Sequence, residues 1–122
     1  MAAIKRATAE SIAIASRNVF PKEFIAMLGS KGKNNVIDEL VVLPSLFGDT
    51  FSSIDLNLVP FDRSIVGSIH SHPSPNNNHS SEDKRFFKKT GKINLIISYP
   101  FNIGNIAAYN ADGKRIELEV VE

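Results

Sequence analysis

The chain has 122 residues, 43% of them hydrophobic and 22% charged, with a formal net charge of +1. That length suits one domain, residues 1–122, burying roughly 65% of its unfolded surface, and so small a charge gives no field toward nucleic acid or an anionic membrane. There is no cysteine, which excludes thiol proteases, disulfide staples, iron–sulfur clusters and cysteine-ligated zinc and leaves imidazole and carboxylate as metal ligands.

In chain order, Ile4, Thr8, Ile12, Ala15 and Val19 recur at spacings of three and four. They predict a helix over residues 4–19 with one apolar stripe, stopped by Pro21. Phe24 to Leu28 reads as a short buried strand ending at Gly29. A turn at 31–35 leads to a β-rich run from Val36 to Leu43, and the two runs predict an antiparallel pair. Phe51 to Leu56 is a weaker alternating strand. Ser64 to Ile69 reads as a central strand that delivers His70 at its end. Pro73-Ser74-Pro75-Asn76-Asn77-Asn78 carries a loop signature. A second helix is predicted over 80–90, with Ser80 as N-cap, Asp83 at the third position of a variant capping box and Gly91 at its end. Ile93 to Tyr99 is a continuous apolar strand. Gly104 to Tyr109 and Lys114 to Val121 flank an Asp112-Gly113 turn in a hairpin pattern. The sum is an α+β fold, an α/β/α sandwich of two helices around a mostly antiparallel sheet of about six strands.

No apolar run approaches the ~20 residues of a membrane span. Met1 to Arg6 is not followed by a long uncharged apolar stretch, so no signal peptide is expected and the expected location is cytoplasmic.

The most informative segment is His70-Ser71-His72-Pro73, followed by Ser80 and Asp83. Residues i and i+2 of a strand share a face, with Cα atoms about 6.6 Å apart. Tetrahedral zinc needs ligand nitrogens roughly 3.4 Å apart, a gap two imidazoles can close by leaning together. The loop over 73–79 is long enough to fold back and bring Asp83 to the same ion. Three protein ligands leave a fourth position open, which separates a catalytic zinc from a structural one. A zinc-bound water has a pKa near ~7 but still needs a base for its proton, and the leaving amine needs an acid. The sequence offers many carboxylates, and Glu23 stands out among them because it sits between a helix-stopping proline and a buried strand, a junction whose residues often point into clefts.

Each of these residues has a plainer reading. A His-x-His pair alone is commonly two hydrogen-bonded histidines at a strand end. Ser80 and Asp83 alone make a helix cap, and Glu23 alone is a surface carboxylate. His79 reads as an exposed loop residue. Lys84, Arg85, Lys88 and Lys89 read as a solvated helix face, too short a run for nucleic acid. Phe86 and Phe87 read as core. Ser68 and Ser71 sit in no nucleophile-elbow pattern, which disfavours a serine hydrolase.

His70-Ser71-His72, seven residues, Ser80, two residues and Asp83 resemble the motif of the JAMM (MPN+) zinc metalloproteases at every defined position. Pro21-Lys22-Glu23 with Leu28-Gly29 resembles the glutamate segment of that family, and Val66-Gly67 and Pro73 also fit. The element order is similar to compact prokaryotic, archaeal-type single-domain members with an MPN/cytidine-deaminase-like fold. The resemblance implies that His70, His72 and Asp83 bind one zinc ion. It implies that Glu23 holds the attacking water and moves its proton, and that Ser80 hydrogen-bonds the oxyanion. It implies a metallo-isopeptidase cutting after the C-terminal tail of a ubiquitin-like modifier. The tail would lie beside Ser52, Ser53, Ile54, Asp55 and Leu56 by strand addition.

Two segments that carry insertions in deubiquitinating relatives, 55–61 and 99–104, are short here, which argues against selectivity for chain linkage. Ala26 stands where many relatives have glycine. Other readings stay open: a sulfur-carrier protein conjugate as substrate, or a non-catalytic MPN scaffold subunit, against which the intact ligand set argues. Relatives also occur in DNA-repair and amino-acid-biosynthesis contexts, but the chain has no basic stripe for DNA. A homodimer is left open, and so is iron, cobalt or nickel in place of zinc.

Overall fold

The computed structural model describes residues 2–32, 35–42 and 64–122. In chain order its elements are β1 (Ala2–Lys5), α1 (Arg6–Val19), β2 (Ile25–Gly29), β3 (Val36–Ile37), β4 (Glu39–Val41), β5 (Ile65–His72), α2 (Ser81–Thr90), β6 (Ile93–Ser98), β7 (Ile106–Tyr109), β8 (Arg115–Ile116) and β9 (Leu118–Val121). The strand expected over Phe51 to Leu56 lies outside the described residues.

Among the described residues the main sheet has six strands, in the order β4-β2-β5-β6-β7-β8. Only β5 and β6 run parallel; the other neighbours are antiparallel. The sheet is thus mixed and mostly antiparallel, as the sequence predicts. Strand alternation sorts its two faces. Ile69, Leu95, Ile97 and Ala108 pack with Ile12 and Ala13 of α1 and with Phe24, Leu28 and Phe101 in the larger core. On the opposite face Ile96, Ala107 and Tyr109 pack with Phe87 of α2. The helices therefore cover opposite faces, which is the expected α/β/α layering.

Three boundaries differ from the sequence reading, for one shared reason. A second sheet, β3-β1-β9, is entirely parallel and joins segments far apart in sequence. Ile4, assigned above to the helix stripe, pairs instead with Ile37 and Val120. The run from Val36 breaks at Asp38: Val36–Ile37 joins the small sheet, and Glu39–Val41 pairs antiparallel with β2. The final hairpin also breaks. Arg115–Ile116 pairs with β7, and Leu118–Val121 crosses to lie parallel to β1.

Gly67 fixes how closely β5 meets the start of β6. A Cβ there would overlap the carbonyl of Ile93, its partner in the parallel ladder. Gly67→Ala is expected to destabilise the fold by about 3 kcal/mol, since overpacking against backbone cannot be relieved by a rotamer change. A urea-unfolding midpoint equal to wild type would show that the two strands separate freely.

Candidate metal centre

β5 extends beyond the predicted strand end and holds both His70 and His72 within it. Their shared face is the one α2 covers, because His70 pairs with Ile96 and Ile96 packs under Phe87. The loop over 73–80 then returns the chain to the start of α2. Ser80 caps that helix: its Oγ accepts the Asp83 N–H at 3.1 Å. The Asp83 carboxylate Oδ2 accepts the Ser80 N–H at 2.8 Å, completing the capping box. The cap that starts α2 therefore also aims Asp83 back at β5.

The three side chains converge. His70 Nε2 and His72 Nε2 are 3.1 Å apart. His70 Nε2 is 3.2 Å from Asp83 Oδ1, and His72 Nε2 is 3.3 Å from Asp83 Oδ2. A tetrahedral ion with ligands at ~2.0–2.1 Å has ligand–ligand edges of about 3.3–3.4 Å, so this triangle is of the right size for one small cation. The donor chemistry also fits. A carbonyl only accepts, so the His72 Nδ1–H donates to the Asn76 carbonyl at 2.9 Å. In the neutral ring that leaves the Nε2 lone pair aimed into the triangle, the tautomer control usual for metal-ligating histidines. Among the described residues, His70, His72 and Asp83 form the one such cluster of His and carboxylate groups.

Burial and mutual contact set the charges. His70 is fully buried, and desolvation holds its pKa below the ordinary value despite the opposing pull of Asp83. Desolvation also lowers His72, but hydrogen bonding to Asp83 and Asn76 outweighs it and raises the net value. Burial acts against ionised Asp83, yet hydrogen bonds with His70 and His72 and from the Ser80 backbone hold its carboxyl well below the usual carboxylate range. One ionised carboxylate facing two imidazoles is a ligand set ready for a divalent cation.

Glu23 lies outside the triangle but near it. It is half-buried just before β2, and its charge acts on both His70 and His72. Ser71 fixes this segment. Its Oγ accepts the Phe24 N–H at 2.8 Å, and its own N–H donates to the Phe24 carbonyl at 2.9 Å. This buried hydroxyl thus holds the residue next to Glu23. Sequence reasoning gave Ser71 no role. The one signal was its place between the two histidines, since the pairing of β2 with β5 that brings Phe24 beside it was not predicted. His79 also differs from its expected place: it is half-buried, with Nε2–H donating to the Gly113 carbonyl at 2.7 Å. Lys84, Arg85, Lys88 and Lys89 are exposed, and Phe86 and Phe87 are buried, as expected. Residues Ser52, Ser53, Ile54, Asp55 and Leu56, expected to meet the substrate tail, lie outside the described residues.

A family model and two solved structures point to one family. A family model for prokaryotic homologs of the JAB domain matches residues 5–112. A probable metalloprotease of Haloferax volcanii is 29% identical over 117 residues, covering 88% of this chain and 72% of that protein. A JAB1/MPN domain protein from Archaeoglobus fulgidus is 34% identical with a TM-score of 0.79, over 100% of this chain and 98% of the other. A structure described as a JAMM metalloprotease-like zinc site in the proteasome and signalosome is also 34% identical, with a TM-score of 0.78 and coverage of 100% and 99%. A protein from Desulfitobacterium hafniense, 20% identical with a TM-score of 0.66 over 100% of this chain and 94% of its own, shares the fold.

Proposed function

The chain belongs to the prokaryotic JAB-domain (JAMM/MPN) family, and from that premise we propose that it is a zinc-dependent isopeptidase cutting after the C-terminal tail of a ubiquitin-like modifier. The observation that carries the reading is the triangle of His70, His72 and Asp83, with Glu23 next to the Phe24 that Ser71 binds from between the two histidines. The relatives that share the fold at 34% identity include one described by its metalloprotease-like zinc site. The reading takes residues 1–122 as one catalytic domain.

His70, His72 and Asp83 would hold the ion. Bound there, zinc supplies a Lewis acid and a water of lowered pKa. Glu23 takes the proton of the attacking water and delivers it to the leaving amine. Ser80 donates to the oxyanion of the tetrahedral intermediate. Its capping bond leaves that role open, because Oγ accepts from the Asp83 N–H and its own O–H hydrogen remains to be given. Ser71 keeps Glu23 in place by holding Phe24 on both backbone groups. The modifier tail is assigned to the segment 52–56, by strand addition.

The test uses ubiquitin-like modifiers joined through their C-terminal tails to a reporter amine by peptide or isopeptide linkage. The zinc-loaded protein is expected to release the reporter, to stop after chelation and to resume with added zinc. Zinc retention without release from any ubiquitin-like fusion would overturn the substrate, and release from a sulfur-carrier conjugate alone would select that substrate instead.

A further inference from the structure

His79 precedes Ser80 and has no part in the proposed chemistry, yet it is held on three sides. Its Nε2–H donates to the Gly113 carbonyl at 2.7 Å, in the turn between β7 and β8. Its ring meets Tyr109 edge-on, centroids 4.9 Å apart, and Phe87 at 6.1 Å. Tyr109 and Phe87 are themselves stacked at 5.7 Å, and Phe87 lies 6.5 Å from His70.

The same sheet edge grips the loop a second time. The Tyr109 hydroxyl donates to the Asn77 carbonyl at 2.9 Å, and Asn77 Nδ2 donates to the Asn105 carbonyl at 3.1 Å. Gly113 adopts a φ of +82°, and a Cβ there would stand 3.2 Å from His79 Nε2. Turn and imidazole are therefore fitted against each other.

We propose that His79 is a positioning residue: its bond to Gly113 and its seat between Tyr109 and Phe87 set where the Ser80 hydroxyl stands. The proposal rests on the reading of Ser80 as the oxyanion donor. The capping bond orients that hydroxyl from the helix side, but a free loop would let the backbone that carries it shift, and small misplacements of a catalytic group are costly. The strut confines the residue before it.

His79→Phe keeps the ring contacts and removes the donor. His79→Gln returns an N–H near the position of Nε2. In zinc-loaded protein, His79→Phe is expected to lower kcat about tenfold through misplacement of Ser80, with KM and zinc content near wild type and a thermal midpoint lower by a few degrees, the scale of one lost hydrogen bond. His79→Gln is expected to recover most of the loss. In a Ser80→Ala background His79→Phe should cost nothing further, because the group it places is gone. A second readout needs no turnover. Hydrogen exchange of the Asp83 amide, which Ser80 Oγ accepts, should quicken in His79→Phe and recover in His79→Gln, while β5 and β6 amides stay unchanged. Wild-type kcat in His79→Phe, an equal loss in the Ser80→Ala background, or unchanged Asp83 exchange would overturn the proposal. Wild-type protein that cleaves nothing would instead overturn the isopeptidase reading, and Asp83 exchange would then decide the strut alone.

Discussion

Glu23→Gln is expected to keep zinc at wild-type stoichiometry and to lose cleavage of a ubiquitin-like fusion by about 10²–10⁴-fold, the range of general acid–base catalysis. Retention follows from the geometry. The triangle is built from His70, His72 and Asp83, and none of its edges involves Glu23. Loss follows from the chemistry, because glutamine has the shape of glutamate but cannot carry a proton away. The substitution is also mild for the fold. The segment is held by backbone and Ser71 contacts at Phe24, not by the Glu23 carboxylate. The drop should fall on kcat, since Glu23 is assigned to proton transfer and not to holding the tail. Zinc content by elemental analysis and steady-state kinetics on one preparation separate the cases. Wild-type turnover in Glu23→Gln would assign the base elsewhere, and zinc lost together with activity would make Glu23 a structural neighbour of the metal.

How much of this was legible in the sequence depended on how local each cause was. The capping box was legible because all its parts lie between Ser80 and Asp83, and the structure shows both of its bonds. The convergence of the two histidines was legible because strand alternation alone places i and i+2 together. The second sheet was not. β1, β3 and β9 are each two to four residues long, and their partners lie far along the chain. Nothing within a window around Ile4 distinguishes the first residue of an apolar helix stripe from a strand buried between Ile37 and Val120. His79 was hidden for a related reason. Its neighbours Asn76, Asn77 and Asn78 read as loop, whereas its partners Tyr109 and Gly113 belong to a hairpin about thirty residues on. Ser71 lay inside the motif, but its task concerns Phe24, which only the antiparallel pairing of β2 and β5 brings beside it.

Asp83→Ala is expected to reduce bound zinc from about one per chain to none after dialysis, because two histidines alone leave half of a tetrahedral shell to solvent. Loss of a partner outside the coordination shell already weakens metal binding about 10–100-fold, so loss of a ligand should exceed that. Alanine also removes the acceptor of the Ser80 N–H, a capping loss worth about 1 kcal/mol. Asp83→Asn is therefore the cleaner companion, since an amide oxygen can still accept that bond but carries no charge. It too should bind zinc far more weakly while leaving α2 intact. The wild-type pH dependence follows from the same three side chains. Protons compete with zinc for imidazole nitrogen, so affinity must fall as pH falls. His72 is raised above the ordinary 6.5, so its competition begins on the alkaline side of that value. His70 is lowered below 6.5 and joins later. Asp83 stays ionised throughout and adds nothing. Affinity should therefore drop about tenfold per pH unit at first and about a hundredfold per unit once both rings compete. Competition with a chromophoric chelator over roughly pH 5 to 8, the window in which histidines titrate, measures the first slope, and its extension to lower pH measures the second. An affinity flat across that window would remove His72 from the coordination shell. Wild-type zinc content in Asp83→Asn would remove the carboxylate.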